Sequence, residues 1–415
     1  MKLNNAVKPN NAVKPNSARK LNNAAKRIAT ALLCALALVA CGTSEDSTPP
    51  ATSAGPPAPL GAERGAVVDQ QQTSTESDGS RRTVVRYRST SGVDGSGTEV
   101  SGTVFVPAGS APAGGWPVVT VGHGTTGVDD DCAPSTSPDL LGNDRLVTPL
   151  LERGYVVVMS DLAGLGTPGP HPYLEPKSAA YNMIDAVRAA RLIAGDASAR
   201  WVALGASQGG QASWAAAEYA GQYGDGLDFL GSANLSPAVD LSAVIEEDGA
   251  ADLKVPQQVF LPALIAGLQV LHPELNPDDY MHGTLAAEKD TLLACTGPKA
   301  DNKLAVALRL KPEDSRPVDA AAAERMHAWL TDIALPKQQA AGPMLVVVGE
   351  NDPVILADWT IGAVARACDL GDVIALNERP NDGHATSASI PEAVAWIADR
   401  FAGLPAPDTC AGASR

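Results

Sequence analysis

Aromatic residues are scarce in this chain. Only 4% of its 415 residues are Phe, Trp or Tyr, and four are Phe. That is too few for the stacked ring platforms on which single-stranded nucleic acids bind. Positive charge is scarce too once the N-terminus is set aside. The first 40 residues hold seven Lys/Arg and no Asp/Glu, and the remainder carries 24 cations against 47 carboxylates, a net of −23. Such a body repels phosphate backbones and anionic membrane surfaces, so no nucleic-acid partner is expected; its plain consequence is solubility. Cys and His nowhere cluster at zinc-binding spacing, and no metal is implied.

The N-terminus reads as an address. Lys26 and Arg27 precede thirteen uncharged, mainly apolar residues, IATALLCALALVA at 28–40. A basic flank and an apolar run of ~7–15 residues make a secretory signal, whereas a membrane span needs ~20. The run ends Leu38-Val39-Ala40-Cys41, which resembles the bacterial lipobox, where cleavage precedes a cysteine that takes lipid. Residues 1–40 are therefore expected to be a lipoprotein signal peptide with an extended n-region, in which NAVKPN occurs twice. Cys41 would then be the lipidation site; an ordinary signal cleaved nearby is the plainer reading. Residues 41–80 are rich in Pro, Ser, Thr, Gly and Gln, cannot offset the entropy of ordering, and are expected to form a disordered tether. The exported chain would be a monomer held to the cell envelope, at the outer membrane or cell surface, by that lipid alone. Beyond Cys34 and Cys41 there remain Cys132, Cys295, Cys368 and Cys410. In an oxidising compartment these suggest two disulfides, with three pairings possible.

After two candidate strands at 82–90 and 98–108, short apolar β-rich runs alternate with helical patterns. Strands are expected at 117–122, 155–161, 200–206, 227–236, 343–351 and 372–380. Helices are expected at 140–154, 178–195, 211–223, 356–368 and 390–402. Uninterrupted apolar strands alternating with helices predict a mostly parallel sheet covered by helices on both faces, an α/β fold. The alternation breaks at about 237–338, which is expected to be an inserted helical cap. Its most apolar stretch, VFLPALIAGLQVLH at 259–272, is either core packing or a lid over an acyl chain. Pro262 and Gly267 argue there against a straight helix.

GASQGG at 205–210 has the Gly-x-Ser-x-Gly spacing, although glycine is common here, at 39 residues. Context gives it weight: a strand precedes it and a helix follows, as a nucleophile elbow requires. Gly205 and Gly209 remove the β-carbons that such a strained turn could not accommodate. In hydrolases of this kind the acid and then the histidine follow in chain order. Asp352, in GENDPV after one strand, and His384, in NDGHATS after the next, meet that order. Ser207, His384 and Asp352 are the expected triad, with Glu350 and Asp358 as rival acids and Asp382 as a loop carboxylate. For the oxyanion hole, the amide of Gln208 is expected as one donor. Thr125 in GHGTTG is expected as the other, or Thr126 or Gly127 if the loop is set differently. His123 is expected to brace that loop.

GHGTTGVDDDCAPS (122–135), DLAGLGTPGPHPYL (161–174), GASQGG, GENDPV and GHATS together resemble the secretory lipase family, over about residues 82–410. The resemblance implies an α/β-hydrolase domain at 81–415, with a helical cap, that hydrolyses carboxylic esters without a cofactor. Lipids, shorter esters and polyesters are the candidate substrates. It implies that Cys132 pairs with Cys295 and Cys368 with Cys410, and that His171 and Tyr173 are candidates to line the substrate site. Thr125-Thr126-Gly127 stands where the fungal members carry an Asp, so the resemblance carries no acidic side chain over to that loop. A serine peptidase on the same fold and a catalytically silent, surface-tethered binding protein are the competing readings.

Overall fold

A computed structural model describes residues 63–75, 79–245 and 253–412. The expected signal peptide and Cys41 lie outside the described residues. Among the described residues nine strands form one sheet in the order β1-β2-β3-β5-β4-β6-β7-β8-β9. They are β1 (Val67–Thr75), β2 (Arg81–Thr90), β3 (Gly97–Val106), β4 (Trp116–Gly122), β5 (Val156–Ser160), β6 (Ala197–Ala206), β7 (Asp228–Leu235), β8 (Met344–Gly349) and β9 (Ile374–Arg379). The pairings β1–β2, β2–β3 and β3–β5 are antiparallel; every pairing from β5 through to β9 is parallel.

Successive side chains on a strand point to opposite faces, and both faces here are covered. In β4, Val118 packs with α2 (Pro176–Ile193) and α3 (Gln208–Tyr223), through Met183, Ile184 and Ala212. Val119 and Val121 pack on the other side with α1 (Asp144–Glu152) and α12 (Ile390–Phe401), through Leu150, Val394 and Ile397. α11 (Ala357–Asp369) covers β8 on the α3 side. This is why the central strands read as unbroken apolar runs.

One segment departs from expectation. Residues 41–80 were expected to be a disordered tether, yet Val67–Thr75 pairs along β2 as an edge strand. Seven of its nine residues are exposed. An edge strand is held by backbone bonds, so its sequence VVDQQQTST needs no apolar alternation, and its polar surface discourages further pairing.

Between β7 and β8 lie α4 (Val255–Gln258), α5 (Leu261–Leu271), the short helices α6 (Gly283–Ala287), α7 (Lys289–Leu293), α8 (Gly297–Asp301) and α9 (Lys303–Ala307), and α10 (Ala320–Ile333). α5, α6 and α10 share a core of Leu264, Leu268, Leu285, Met326 and Leu330, to which Tyr173 and Leu174 of the body contribute. α5 is continuous despite its proline and glycine. Pro262 sits in the first turn, where a missing N–H costs nothing. At Gly267 a Cβ would collide with the backbone of Tyr173, so glycine is what lets the helix approach that loop.

Both disulfides implied by the family resemblance are present. Cys132–Cys295, with Cα atoms 5.3 Å apart, ties the loop after β4 to the segment after α7. Cys368–Cys410, also 5.3 Å between Cα atoms, fastens the chain after β9 and α12 to the end of α11.

Buried carboxyl groups give the fold a pH signature. Glu218 on α3 is 2% exposed. It accepts hydrogen bonds from Trp214 Nε1 at 2.9 Å and from the amides of Lys337 and Gln338 at 2.9 and 3.3 Å. Burial outweighs these bonds and pushes its pKa up to about 7. Asp185, buried beneath Tyr223, is pushed up to about 6. A carboxyl raised above its unfolded value favours folding while protonated. For Glu218 that contribution is fully present below 4.5 and is lost as pH rises through about 7. Melting temperature is expected to fall between about pH 5 and about pH 8, with Glu218 accounting for about 3 kcal/mol at most. Glu218→Gln should flatten that slope; an unchanged slope would contradict the cause given.

Candidate active site

The strand β6 runs into Ser207, and α3 starts at the next residue. Ser207 has φ 59° and ψ −120°, a conformation that costs a non-glycine residue about 1–3 kcal/mol. The turn is fastened on both sides: the Ser207 amide donates to Leu235 O at 2.9 Å, and its carbonyl accepts from Gln211 N at 3.0 Å and Ala238 N at 3.2 Å. A Cβ on Gly205 would fall on the Gly209 carbonyl, and a Cβ on Gly209 would fall on that of Gly122. Three glycines from β4, β6 and α3 thus interlock beneath the serine.

The parallel sheet brings the ends of β8 and β9 to the same edge. His384 lies in the loop after β9, and Asp352 in the turn after β8. His384 Nε2 is 2.8 Å from Ser207 Oγ, and its Nδ1 is 2.7 Å from Asp352 Oδ2. The other carboxylate oxygen, Oδ1, accepts from the amides of Val354 at 2.8 Å and Ile355 at 3.0 Å. Because the carboxylate can only accept, Nδ1 carries the ring proton and Nε2 is left to accept from the serine hydroxyl. The rival acids Glu350 and Asp358 are exposed. Asp382 pairs with Arg379 at 2.5 Å and accepts from Thr386 Oγ1 at 3.0 Å, bracing the histidine loop.

Gln208, as the first residue of α3, has an amide with no carbonyl one turn earlier to bond. Thr125 lines the same cavity as Ser207, and its hydroxyl meets Tyr173 Oη at 2.7 Å. Thr126 instead turns its hydroxyl to Cys132 O at 2.8 Å, and Gly127 packs on the Cys132 sulfur. His123 is fully buried, with ring nitrogens 2.8 Å from Gly124 O and 3.0 Å from Asp161 O, a bracing position.

The cavity over Ser207 encloses about 530 Å³ of space, its open mouth included. Tyr173, Ile355 and Trp359 line it from the body, and Phe260, Leu261 and Leu264 from α4–α5 and their junction. The apolar stretch at 259–272 therefore serves both as cap core and as cavity wall.

The model of the secretory lipases matches residues 140–409. The chain belongs to the secretory lipase family. No curated protein sequence matches it. Among solved structures it is similar to lipase A of Candida antarctica in its closed state, with 18% identity, 85% of this chain and 86% of that one covered, and a TM-score of 0.66. It is also similar to a ligand-bound form of the rice cell wall degrading esterase LipA of Xanthomonas oryzae, with 22% identity, coverages of 82% and 98%, and a TM-score of 0.65. A putative hydrolase of Legionella pneumophila matches at 18% identity, coverages of 77% and 89%, and a TM-score of 0.62. At these identities the likenesses establish the α/β-hydrolase fold; the family match makes the chain a carboxylic-ester hydrolase of an exported family.

In this secretory lipase one expected lining residue is displaced. Tyr173 lines the Ser207 cavity, but His171 does not. His171 is 4% exposed and lies behind Gln208, because the loop at 161–174 turns inward two residues before Tyr173. Sequence reasoning also missed residues of the lipase. Ile355 and Trp359 follow Asp352 closely and line the cavity. Their one signal is their place just after the acid, at the sheet edge where the serine must lie. Ser236, whose hydroxyl accepts from Ala385 N at 3.0 Å and so fixes the backbone beside His384, carried no signal at all.

Proposed function

We propose that this secretory lipase hydrolyses its esters through a Ser207–His384–Asp352 triad and an acyl-enzyme. The observation that supports this reading is the continuous row of two hydrogen bonds, 2.8 and 2.7 Å, from hydroxyl to imidazole to carboxylate. His384 Nε2 takes the Ser207 proton as Oγ attacks the carbonyl carbon. Asp352 holds the tautomer and stabilises the imidazolium that forms. The amides of Gln208 and Thr125 donate to the tetrahedral oxyanion, and the positive end of α3 adds to their field. The imidazolium then protonates the departing alcohol. Water, deprotonated by the same ring, attacks the acyl carbon and restores Ser207.

The acyl group lies against Leu264, Phe260 and Ile355, under a cap spanning about 237–338. The enzyme is exported by its signal at 1–40 and held by lipid on Cys41, working as a monomer at the envelope. Its substrate is a lipid ester or a shorter soluble ester, with a polyester as the third candidate. A series of p-nitrophenyl esters, run beside emulsified triglyceride and a solid polyester, tests the reading. Each methylene buried in the cavity is worth about 0.8 kcal/mol, so kcat/KM should rise about fourfold per carbon until the cavity is full. A flat series would remove the acyl assignment, and hydrolysis of peptides but no ester would sink the reading.

A further inference from the structure

His171 and Tyr173 stand two residues apart on the loop at 161–174, and each grips a different wall of the site. His171 Nδ1 is 2.7 Å from Ala163 O, a pure acceptor, so Nδ1 carries the proton. Its Nε2 therefore accepts from the Gln208 carboxamide, at 2.9 Å. Gln208 is 2% exposed, and its Oε1 has no partner among the described residues, so the bond to His171 is the one seen to hold this side chain. Tyr173 Oη meets Thr125 Oγ1 at 2.7 Å. The loop is built to make both contacts. Gly164, at φ 80°, admits the backbone of His171 where any Cβ would collide with it. The Tyr173 amide donates to the His171 carbonyl at 2.8 Å, and the two rings stand edge to face at 6.0 Å, which fixes one grip relative to the other.

Resting on the reading that Gln208 and Thr125 supply the oxyanion donors, we infer that the His171–Tyr173 pair is a positioning clamp that sets the spacing of the oxyanion hole. One loop holds the side chains of both residues, the Gln208 carboxamide from behind the site and the Thr125 hydroxyl from the cavity wall, and so ties together two elements whose amides must keep their spacing. Burial pushes the pKa of His171 down to about 4, which keeps the ring an acceptor toward Gln208 at neutral pH. Tyr173, buried beside Thr125 and pushed up to about 12, keeps its phenolic proton.

A clamp of this kind acts on the transition state, and phenylalanine at 173 keeps the ring that lines the cavity. His171→Phe and Tyr173→Phe should each lower kcat about 10- to 100-fold on a short p-nitrophenyl ester, with KM held within about twofold. Affinity for a trifluoromethyl ketone, which forms a tetrahedral adduct, should fall in the same proportion as kcat/KM. Two cycles isolate the contacts: His171→Phe with Gln208→Met, and Tyr173→Phe with Thr125→Val. In each, the double variant should be no slower than the slower single one. His171→Gln, which can donate and accept at the same two places, should recover most of the activity; it and the Tyr173 cycle decide the matter if His171→Phe does not fold. Multiplying effects in both cycles, or a raised KM at unchanged kcat, would overturn the clamp. Ser207→Ala in the same assay separates the two levels: activity surviving in that variant removes the triad reading itself, whereas its loss together with multiplying cycles removes the clamp alone.

Discussion

Alanine at His384 is expected to lower kcat as far as alanine at Ser207, by about 10⁶-fold for a triad of this kind, and the double replacement no further. The row of bonds is the reason. Ser207 Oγ lies 2.8 Å from one ring nitrogen, and the other is committed to Asp352. Without the imidazole the hydroxyl keeps its proton; without the hydroxyl the imidazole has nothing to activate. Each loss removes the same step, so the two cannot multiply. What remains is catalysis by the oxyanion donors and the apolar cavity, about 10³–10⁴-fold over water. Steady-state kinetics on the two single variants and the double one check this. A double variant slower than either single one by a further large factor would mean that the two residues act separately.

The second large effect is expected at Asp352→Asn, and its sign follows from the carboxylate's partners. Oδ1 accepts from two backbone amides, those of Val354 and Ile355. An asparagine must keep its oxygen there, which turns its NH₂ toward His384 Nδ1. Two donors would then face each other across 2.7 Å. The ring escapes by moving its proton to Nε2, and in that tautomer it cannot accept from Ser207. kcat is expected to fall about 10⁴-fold with the fold intact. A fall of less than tenfold, with the melting temperature unchanged, would move the acid to another carboxylate.

How much of this was legible in the sequence depends on what each residue answers to. The strands from β4 to β9 were legible because both faces of a parallel sheet are dry, and only apolar β-formers satisfy that. That Ser207, Asp352 and His384 come together at one edge of the sheet was legible because the elbow needs small neighbours and the fold fixes the order and strand ends of its partners. β1 was not, because backbone pairing at a sheet edge leaves no mark on exposed side chains. The path of the loop at 161–174 was hidden for another reason. Nothing in HPY at 171–173 tells which of two aromatic-like rings faces the cavity. That depends on Gly164 and on Gln208, residues that the chain brings near only when folded. The cysteine pairs were likewise open from spacing, since three pairings satisfy four residues; the family resemblance chose between them, and the structure has the same two.

In the proposed mechanism Ser207 is the nucleophile, made reactive by its contact with His384. Labelling with a fluorophosphonate, followed by digestion and mass spectrometry, measures this directly. A stoichiometric adduct is expected on the peptide containing Ser207, none in Ser207→Ala, and labelling slowed by orders of magnitude in His384→Ala. An adduct on another serine, or equal labelling of the wild type and Ser207→Ala, would contradict it.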